Sequence, residues 1–333
     1  TDQLPYGIHE LVELATSVRE APRTVRCYVR GCQHELRTPT RLSPGEVCPD
    51  HGIRCHYSRN SSTYSYRDVR RNIIASKELF AQRIVRHPFK YESHRLGLEK
   101  SEDTLSWNVF RSLQEAGCLR QLAALITGED LPYEPHLYLW GICTTEDSLE
   151  PWDLLIQARE RFENNLPVER PQTEPDIALH LPGQYLILIE AKFTSPNTFY
   201  GRGPRRNPQS LTLDELLEIY HDQQLAILNH AKAAEAPRVA YQLWRNTVFA
   251  EWMAAADHPH TKAYHVNLVR SGFEQDAADE FAGLIDDNHK DRFRRLTWEQ
   301  IYTATPEGQL PKLRQYMRTK TAGLKPAFRI EAN

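Results

Sequence analysis

The chain has 333 residues, 40% of them hydrophobic and 26% charged, with a net charge of −3 at pH 7. That is the length of one large domain or two ordinary ones and the composition of a soluble globular protein, neither disordered nor fibrous. No run approaches the roughly 18 apolar residues of a membrane span, and Thr1-Asp2-Gln3-Leu4-Pro5 carries no basic region leading into an apolar core, so the expected location is cytoplasmic.

Residues 5–20 place Ile8, Leu11, Val12 and Leu14 at helical spacing, which predicts a short amphipathic helix. Next come Cys27 and Cys32, then, after fifteen residues, Cys48 and His51, with Cys55 and His56 close behind. Six cysteines, four of them clustered in this segment, do not form the pattern of a secreted disulfide framework. Two close pairs of soft ligands suit a tetrahedral structural zinc site, and the metal supplies folding energy that so small a segment cannot draw from a core. The expected ligands are Cys27, Cys32, Cys48 and His51, with Cys55 or His56 able to replace one of them. Four protein ligands leave no open position, so the Zn2+ would be structural. The segment resembles a zinc-ribbon or treble-clef knuckle, with four residues inside the first pair where two are commoner. Residues 1–66 are read as helix plus zinc module, and residues 67–333 as the main domain with basic helical additions.

Residues 57–95 are strongly basic, and Val69, Ile73, Ile74, Phe80, Ile84 and Val85 recur among the cations. That pattern predicts one or two helices with a cationic outer face, on which Arg70 and Arg71 are candidates for contact with a phosphate backbone. Ser101 is a good N-cap for a helix ending near Gly117, with Leu105, Val109 and Leu113 as its inward stripe and Glu102 one turn earlier on the same side. Leu137 to Cys143 is expected to be a strand, and Pro151 to Asn164 a helix starting near Asp153.

The informative stretch runs from Glu174 to Thr194. Two apolar runs flank Pro182-Gly183, which predicts a β-hairpin. Tyr185 to Ile189 reads as a buried strand, and such a strand has no packing use for Glu190 and Lys192 at its end. Residues two apart share a face of a sheet, so the acid and the base lie on one side and Ala191 on the other. If Leu181 pairs with Tyr185, Asp176 stands opposite Glu190. Two carboxylates so placed repel unless a cation lies between them, and hard oxygen donors suit Mg2+. A lysine beside such an ion serves an attacking water or the charge of a phosphorane, which is chemistry for phosphodiester hydrolysis.

Ser195 to Pro208 is a loop by its breaker residues; its Arg202, Arg205 and Arg206 are well placed to clamp a phosphate backbone. Leu211 to Ala236 reads as a long helix with Leu213, Leu217, Tyr220, Gln224 and Leu228 on one face, so Gln224 would be a buried amide in need of partners. Val239 to Ala256 is expected to be a core helix, Lys262 to Val269 a strand, and the tail helical and basic in places, with Arg292, Arg294 and Arg295 among its cations.

Pro175-Asp176, thirteen residues, then Glu190-Ala191-Lys192 resembles the signature of the PD-(D/E)XK, or restriction-endonuclease-like, nuclease superfamily, over roughly residues 97–270. The resemblance implies an α/β fold, a restriction-endonuclease-like core with a central mixed sheet flanked by helices. It also implies that Asp176, Glu190 and the Ala191 carbonyl hold Mg2+, that Lys192 assists the water, and that Glu102 reaches the metal from the first core helix. Gln224, and after it Tyr220, would support the site from the helix behind the motif. The expected protein is a Mg2+-dependent endonuclease of double-stranded DNA in restriction or phage defence, acting as a homodimer because two strands need two active sites. Repair or junction-resolving nucleases of the same superfamily, and an inert zinc-containing nucleic-acid-binding protein, are the alternatives.

Overall fold

The computed structural model describes residues 3–12, 23–58, 61–84, 93–144, 152–166, 172–202, 211–222 and 224–330. The chain forms two units, one of residues 1–116 with 305–333, the other of residues 117–304.

The first unit contains the cysteine-rich segment. Strands β1 (Thr24–Arg26) and β2 (Glu35–Arg37) pair antiparallel, as do β3 (Ile53–Ser58) and β4 (Ser61–Tyr66). Their inward residues, among them Tyr28, Leu36, Ile53, Cys55, Tyr64 and Tyr66, make a small core with Leu11 and Leu324. Residues 5–12 are not helical; a turn leads to a single bridge between Leu11 and Val29, and residues 13–20 of the expected helix lie outside the described residues.

Of the helices expected over 57–95, the described residues show only short pieces, Lys77–Leu79 running on into Phe80–Ile84, and Ser93–Leu96. Strands β3 and β4 take the start of this stretch, and after β4 comes a 3-10 turn at Val69–Asn72. Buried amides hold this stretch in place of helical bonds. Asn72 donates to the Leu96 and Leu98 carbonyls and to Thr104, while Asn108 accepts from the Ile74 N–H. Thr104 and Asn108 belong to helix α1 (Glu102–Glu115), which starts where Ser101 accepts a bond from the Thr104 N–H. Ile73, Ile74, Phe80 and Ile84 are buried, so their spacing reflects packing under the turns.

The second unit is built on a six-stranded mixed sheet in the order β12-β11-β8-β7-β5-β6. Its strands are β5 (His136–Leu139), β6 (Ile142–Cys143), β7 (Ile177–Leu181), β8 (Tyr185–Ala191), β11 (Lys262–Val269) and β12 (Phe293–Thr297). Strand β11 runs parallel to both β8 and β12, and the other neighbours are antiparallel. Strand β8 is buried along its whole length, as a near-continuous apolar run requires at the centre of a sheet covered on both faces. Helices α2 (Leu119–Thr127) and α7 (Trp298–Ala304) pack together on one side. On the other lies α6 (Tyr241–Asp257), against β8, β11 and helix α3 (Asp153–Glu163). At 1.5 Å per residue α6 is about 25 Å long, enough to follow β8 from end to end. Its last residue, Asp257, accepts a bond from the Gly183 N–H at the tip of the hairpin, 2.8 Å, and lies 3.2 Å from the His180 imidazole.

Three sequence expectations need correction here. Leu137 to Cys143 is not one strand, because Trp140 and Gly141 both take positive φ and turn β5 back into β6. The long helix over 211–236 is two short ones, α4 (Leu213–Ile219) and α5 (His230–Glu235), since Asp222 caps the Gln224 N–H and Asn229 caps a fresh start. In the loop after the motif, β9 (Phe199–Gly201) pairs with β10 (Arg238–Ala240), the strand that leads into α6. Among the tail cations, Arg294 and Arg295 stand on β12, and each donates to a main-chain carbonyl, of Ile126 and Phe273 respectively.

Candidate active site and metal centre

The hairpin has the register expected from its turn: Leu181 pairs with Tyr185 and Ile177 with Ile189. Gly183 takes φ +71° in that turn. Asp176, the residue before β7, therefore comes level with Glu190, and its Oδ2 accepts the Ala191 N–H at 2.9 Å. Glu190 and Lys192 are 1% and 5% exposed. The Lys192 Nζ lies 2.5 Å from Glu190 Oε1, an ion pair inside the protein. The backbone of Lys192 is held on both sides, its N–H by the Leu268 carbonyl at 2.7 Å and its carbonyl by the Trp298 indole at 3.2 Å.

A carboxylate this deeply buried needs donors on both oxygens. Gln242 gives one to Oε1 at 2.5 Å and Asn246 one to Oε2 at 2.6 Å. The two lie one turn apart on α6, so a helix expected to be pure core turns a polar face to the site. Burial pushes the Glu190 carboxyl up; the Lys192 ammonium, with Arg245 behind it, more than reverses that and leaves it below the usual carboxylate range. Asn267 on β11 stands directly across from Glu190, and two residues earlier His265 is driven down to about 3 by burial, so it is a neutral imidazole bonded to Thr247.

Gln242 and Asn246 take the place that the sequence reading gave to Gln224. Gln224 is exposed, in the turn between α4 and α5. Tyr220 ends α4 and donates to the buried Glu163 carboxylate at 2.8 Å, part of a bond network with Thr173. Glu102 opens α1 in the first unit, half-buried in its first turn. Arg202 is committed internally, to Asp214 at 3.1 Å and to the Ala234 and Ala236 carbonyls, and Arg205 and Arg206 lie outside the described residues.

In the first unit Cys27, Cys32, Cys48 and His51 bring one ligand atom each within 4.8 Å of one another. The Cys32 and Cys48 sulfurs are 3.8 Å apart, and His51 Nδ1 lies 3.3 Å from Cys48 and 3.7 Å from Cys27. Zinc–sulfur bonds of about 2.3 Å in a tetrahedron put sulfurs about 3.8 Å apart, so the cluster fits a zinc ion. Gly52 makes the second knuckle possible: at φ +64° it folds back so that its N–H reaches the Cys48 carbonyl, 2.9 Å. Cys55 and His56 stay out of the cluster because they belong to β3, where Cys55 faces Tyr64.

The molecule is thus an α/β protein with a central mixed sheet, an acid–acid–lysine group at the end of its hairpin, and a separate Cys3His cluster. A family model described as Restriction Endonuclease associating with ARP matches residues 151–320, just over half of the chain and four of the six strands of the sheet. The chain belongs to that restriction-endonuclease family. No curated protein and no solved structure matches it. Among the described residues no helix is long and apolar enough to cross a membrane.

Proposed function

We propose that the protein is a Mg2+-dependent endonuclease of double-stranded DNA, with a PD-(D/E)XK active site on a restriction-endonuclease-like core, serving in restriction or phage defence. The observation that carries this reading is the grouping of Asp176, Glu190 and Lys192 at the hairpin end, inside the segment that matches the family. The donor set fits the ion: two carboxylates and the Ala191 carbonyl are hard oxygens, with no sulfur or imidazole bonded among them. Asp176 and Glu190 would hold Mg2+ there. When bound, the ion supplies Lewis acidity toward the scissile phosphate and lowers the pKa of a coordinated water.

The chain's own groups do the rest. Gln242 and Asn246 fix the Glu190 carboxylate in one orientation, so that its charge is aimed before substrate arrives. Lys192 is held on that carboxylate by a backbone bonded on both sides, which places a donor for the attacking water or for the charge that grows on the phosphoryl oxygens. The water gives up a proton as its oxygen forms a bond to phosphorus and the bond to the leaving oxygen breaks, and the leaving oxygen takes up a proton. The Cys3His cluster would hold a structural Zn2+. Cleavage of both strands calls for two such sites and therefore a homodimer.

The test is incubation of the protein with plasmid and phage DNA in Mg2+, with end-sequencing of the products. Wild type is expected to cut duplex DNA, and Lys192→Ala to bind it without cutting. A wild type that binds but leaves DNA intact in Mg2+ or Mn2+ overturns the nuclease reading in favour of an inert binding protein.

A further inference from the structure

Beside the zinc cluster, and within the first unit, lies an open cleft of about 720 Å3. Its walls are the second knuckle, at His51 and Gly52, and the turn that follows β4. Arg67, Arg70, Arg71 and Lys77 converge on it, against two acids, Asp68 and Glu78. These charges are not equivalent. Asp68 takes Arg70 in a forked bond, 2.9 Å to its Nε and 2.7 Å to its Nη2, so that guanidinium is satisfied within its own turn. Arg67 and Arg71 have no carboxylate partner among the described residues.

Arg71 is the more tightly placed of the two. Its guanidinium lies 4.7 Å over the ring of Tyr6, and Tyr6 stacks on Tyr66. Its Nε is buried without a hydrogen-bond acceptor. A buried donor of this kind costs free energy unless something accepts from it. Arg67 is exposed and anchored through its backbone, with its N–H on the Gly52 carbonyl at 2.8 Å, so the knuckle and the arginine turn are one construction. Like charges gathered on a concave wall without equal counter-charge favour an anion, and paired guanidinium forks match the two free oxygens of a phosphodiester.

We infer that this cleft is a second DNA-contacting site, in which Arg67 and Arg71 grip successive phosphates of a duplex backbone. The sequence singled out Arg70 and Arg71; the ion pair with Asp68 removes Arg70 from that role and Arg67 replaces it. The inference rests on the reading of the protein as one that acts on DNA, and it assigns to the zinc unit the holding of the backbone.

The test uses the full chain carrying Lys192→Ala, so that no cutting intervenes, with a short fluorescent duplex and anisotropy measured over a range of salt. Each phosphate contact contributes roughly 0.9 to the slope of log affinity against log salt. Arg67→Gln and Arg71→Gln should therefore each lower the slope by about one, and the double variant should weaken binding tenfold or more, while Arg70→Gln leaves the slope unchanged. Zinc content and circular dichroism equal to the parent certify the fold. A double variant that keeps the parent's affinity and slope overturns the inference. So does inorganic pyrophosphate that competes at the duplex's own affinity, since the ligand would then be a small anion. Cleavage is scored separately on the wild-type background: loss of binding in the double variant of a chain that never cuts DNA upholds the cleft and sinks the nuclease, and cutting with unaltered binding does the reverse.

Discussion

Glu190 takes three side-chain donors, from Lys192, Gln242 and Asn246, and it divides what could be read beforehand from what could not. Asp176, Glu190 and Lys192 were legible because a strand's two-residue period and a short turn fix which side chains share a face. Gln242 and Asn246 were not, because α6 is crowded with Trp244, Phe249 and Met253 and reads as core throughout. The signal was there: two amides four residues apart in a helix share one face, and buried amides need partners. Replacing Asn246 with alanine leaves one oxygen of the buried Glu190 carboxylate without its donor. The expected cost is on the order of 1–3 kcal/mol of stability, and in a DNA-cutting assay a loss of turnover larger than any loss of DNA affinity. An Asn246→Ala protein with wild-type melting and cleavage would show that the bond is idle.

Glu251, on the same helix, gives a pH dependence independent of the site. It is 20% exposed, with Arg292 3.8 Å away, and burial pushes its carboxyl up to about 7 from 4.5. Below pH 4.5 the group is neutral folded or unfolded and contributes nothing. Between 4.5 and 7 the unfolded chain ionises while the folded one resists, so stability falls as pH rises, by up to about 3 kcal/mol once both are charged. Denaturant titrations at pH 4 and pH 8 should therefore show Glu251→Gln stabilising the protein at the higher pH only. An equal effect at both would place the cause elsewhere.

At the scale of elements, the strongest apolar runs came out in register and the broken ones did not. Strand β11 and helix α3 agree with their expected bounds to within two residues, because each is a single pattern between clear stops. The break in the 211–236 segment comes from local side-chain-to-backbone bonds that outcompete the longer pattern. Asp222 and Asn229 each cap a backbone N–H inside what otherwise reads as one helix. The β5–β6 turn has a different cause, since Gly141 sits at φ +75° and a Cβ there would come 2.5 Å from Leu155, which is fully buried on α3. Gly141→Ala should cost roughly 1–3 kcal/mol, combining backbone strain with the displaced leucine. Thermal melting would register this as a fall of several degrees, and an unchanged midpoint would mean that the turn relaxes without strain.

Over the whole molecule, a net charge of −3 conceals how the cations are used. Arg202, Arg294 and Arg295 are turned to carbonyls of their own unit, whereas Arg67 and Arg71, by the turn after β4, have no carboxylate partner among the described residues. A linear count of arginines could not sort these, because the difference lies in whether a carbonyl or carboxylate waits at the far end of each side chain. The cysteine spacing, by contrast, was legible, since metal-ligand pairs are local in sequence. Their consequence is thermodynamic. The core around Tyr28, Leu36, Ile53 and Tyr64 is small, and structural zinc in comparable modules contributes on the order of 10 kcal/mol of apparent binding free energy. Removing the metal with a strong chelator, or replacing Cys48 by serine, should therefore open residues 23–58 to protease while the sheet unit of residues 117–304, with its own buried core, keeps its protection. Limited proteolysis read by mass spectrometry gives the answer residue by residue. Cuts spread evenly over both units would mean that the metal supports the entire chain, and no new cuts at all would mean that the hairpins β1–β2 and β3–β4 hold without it.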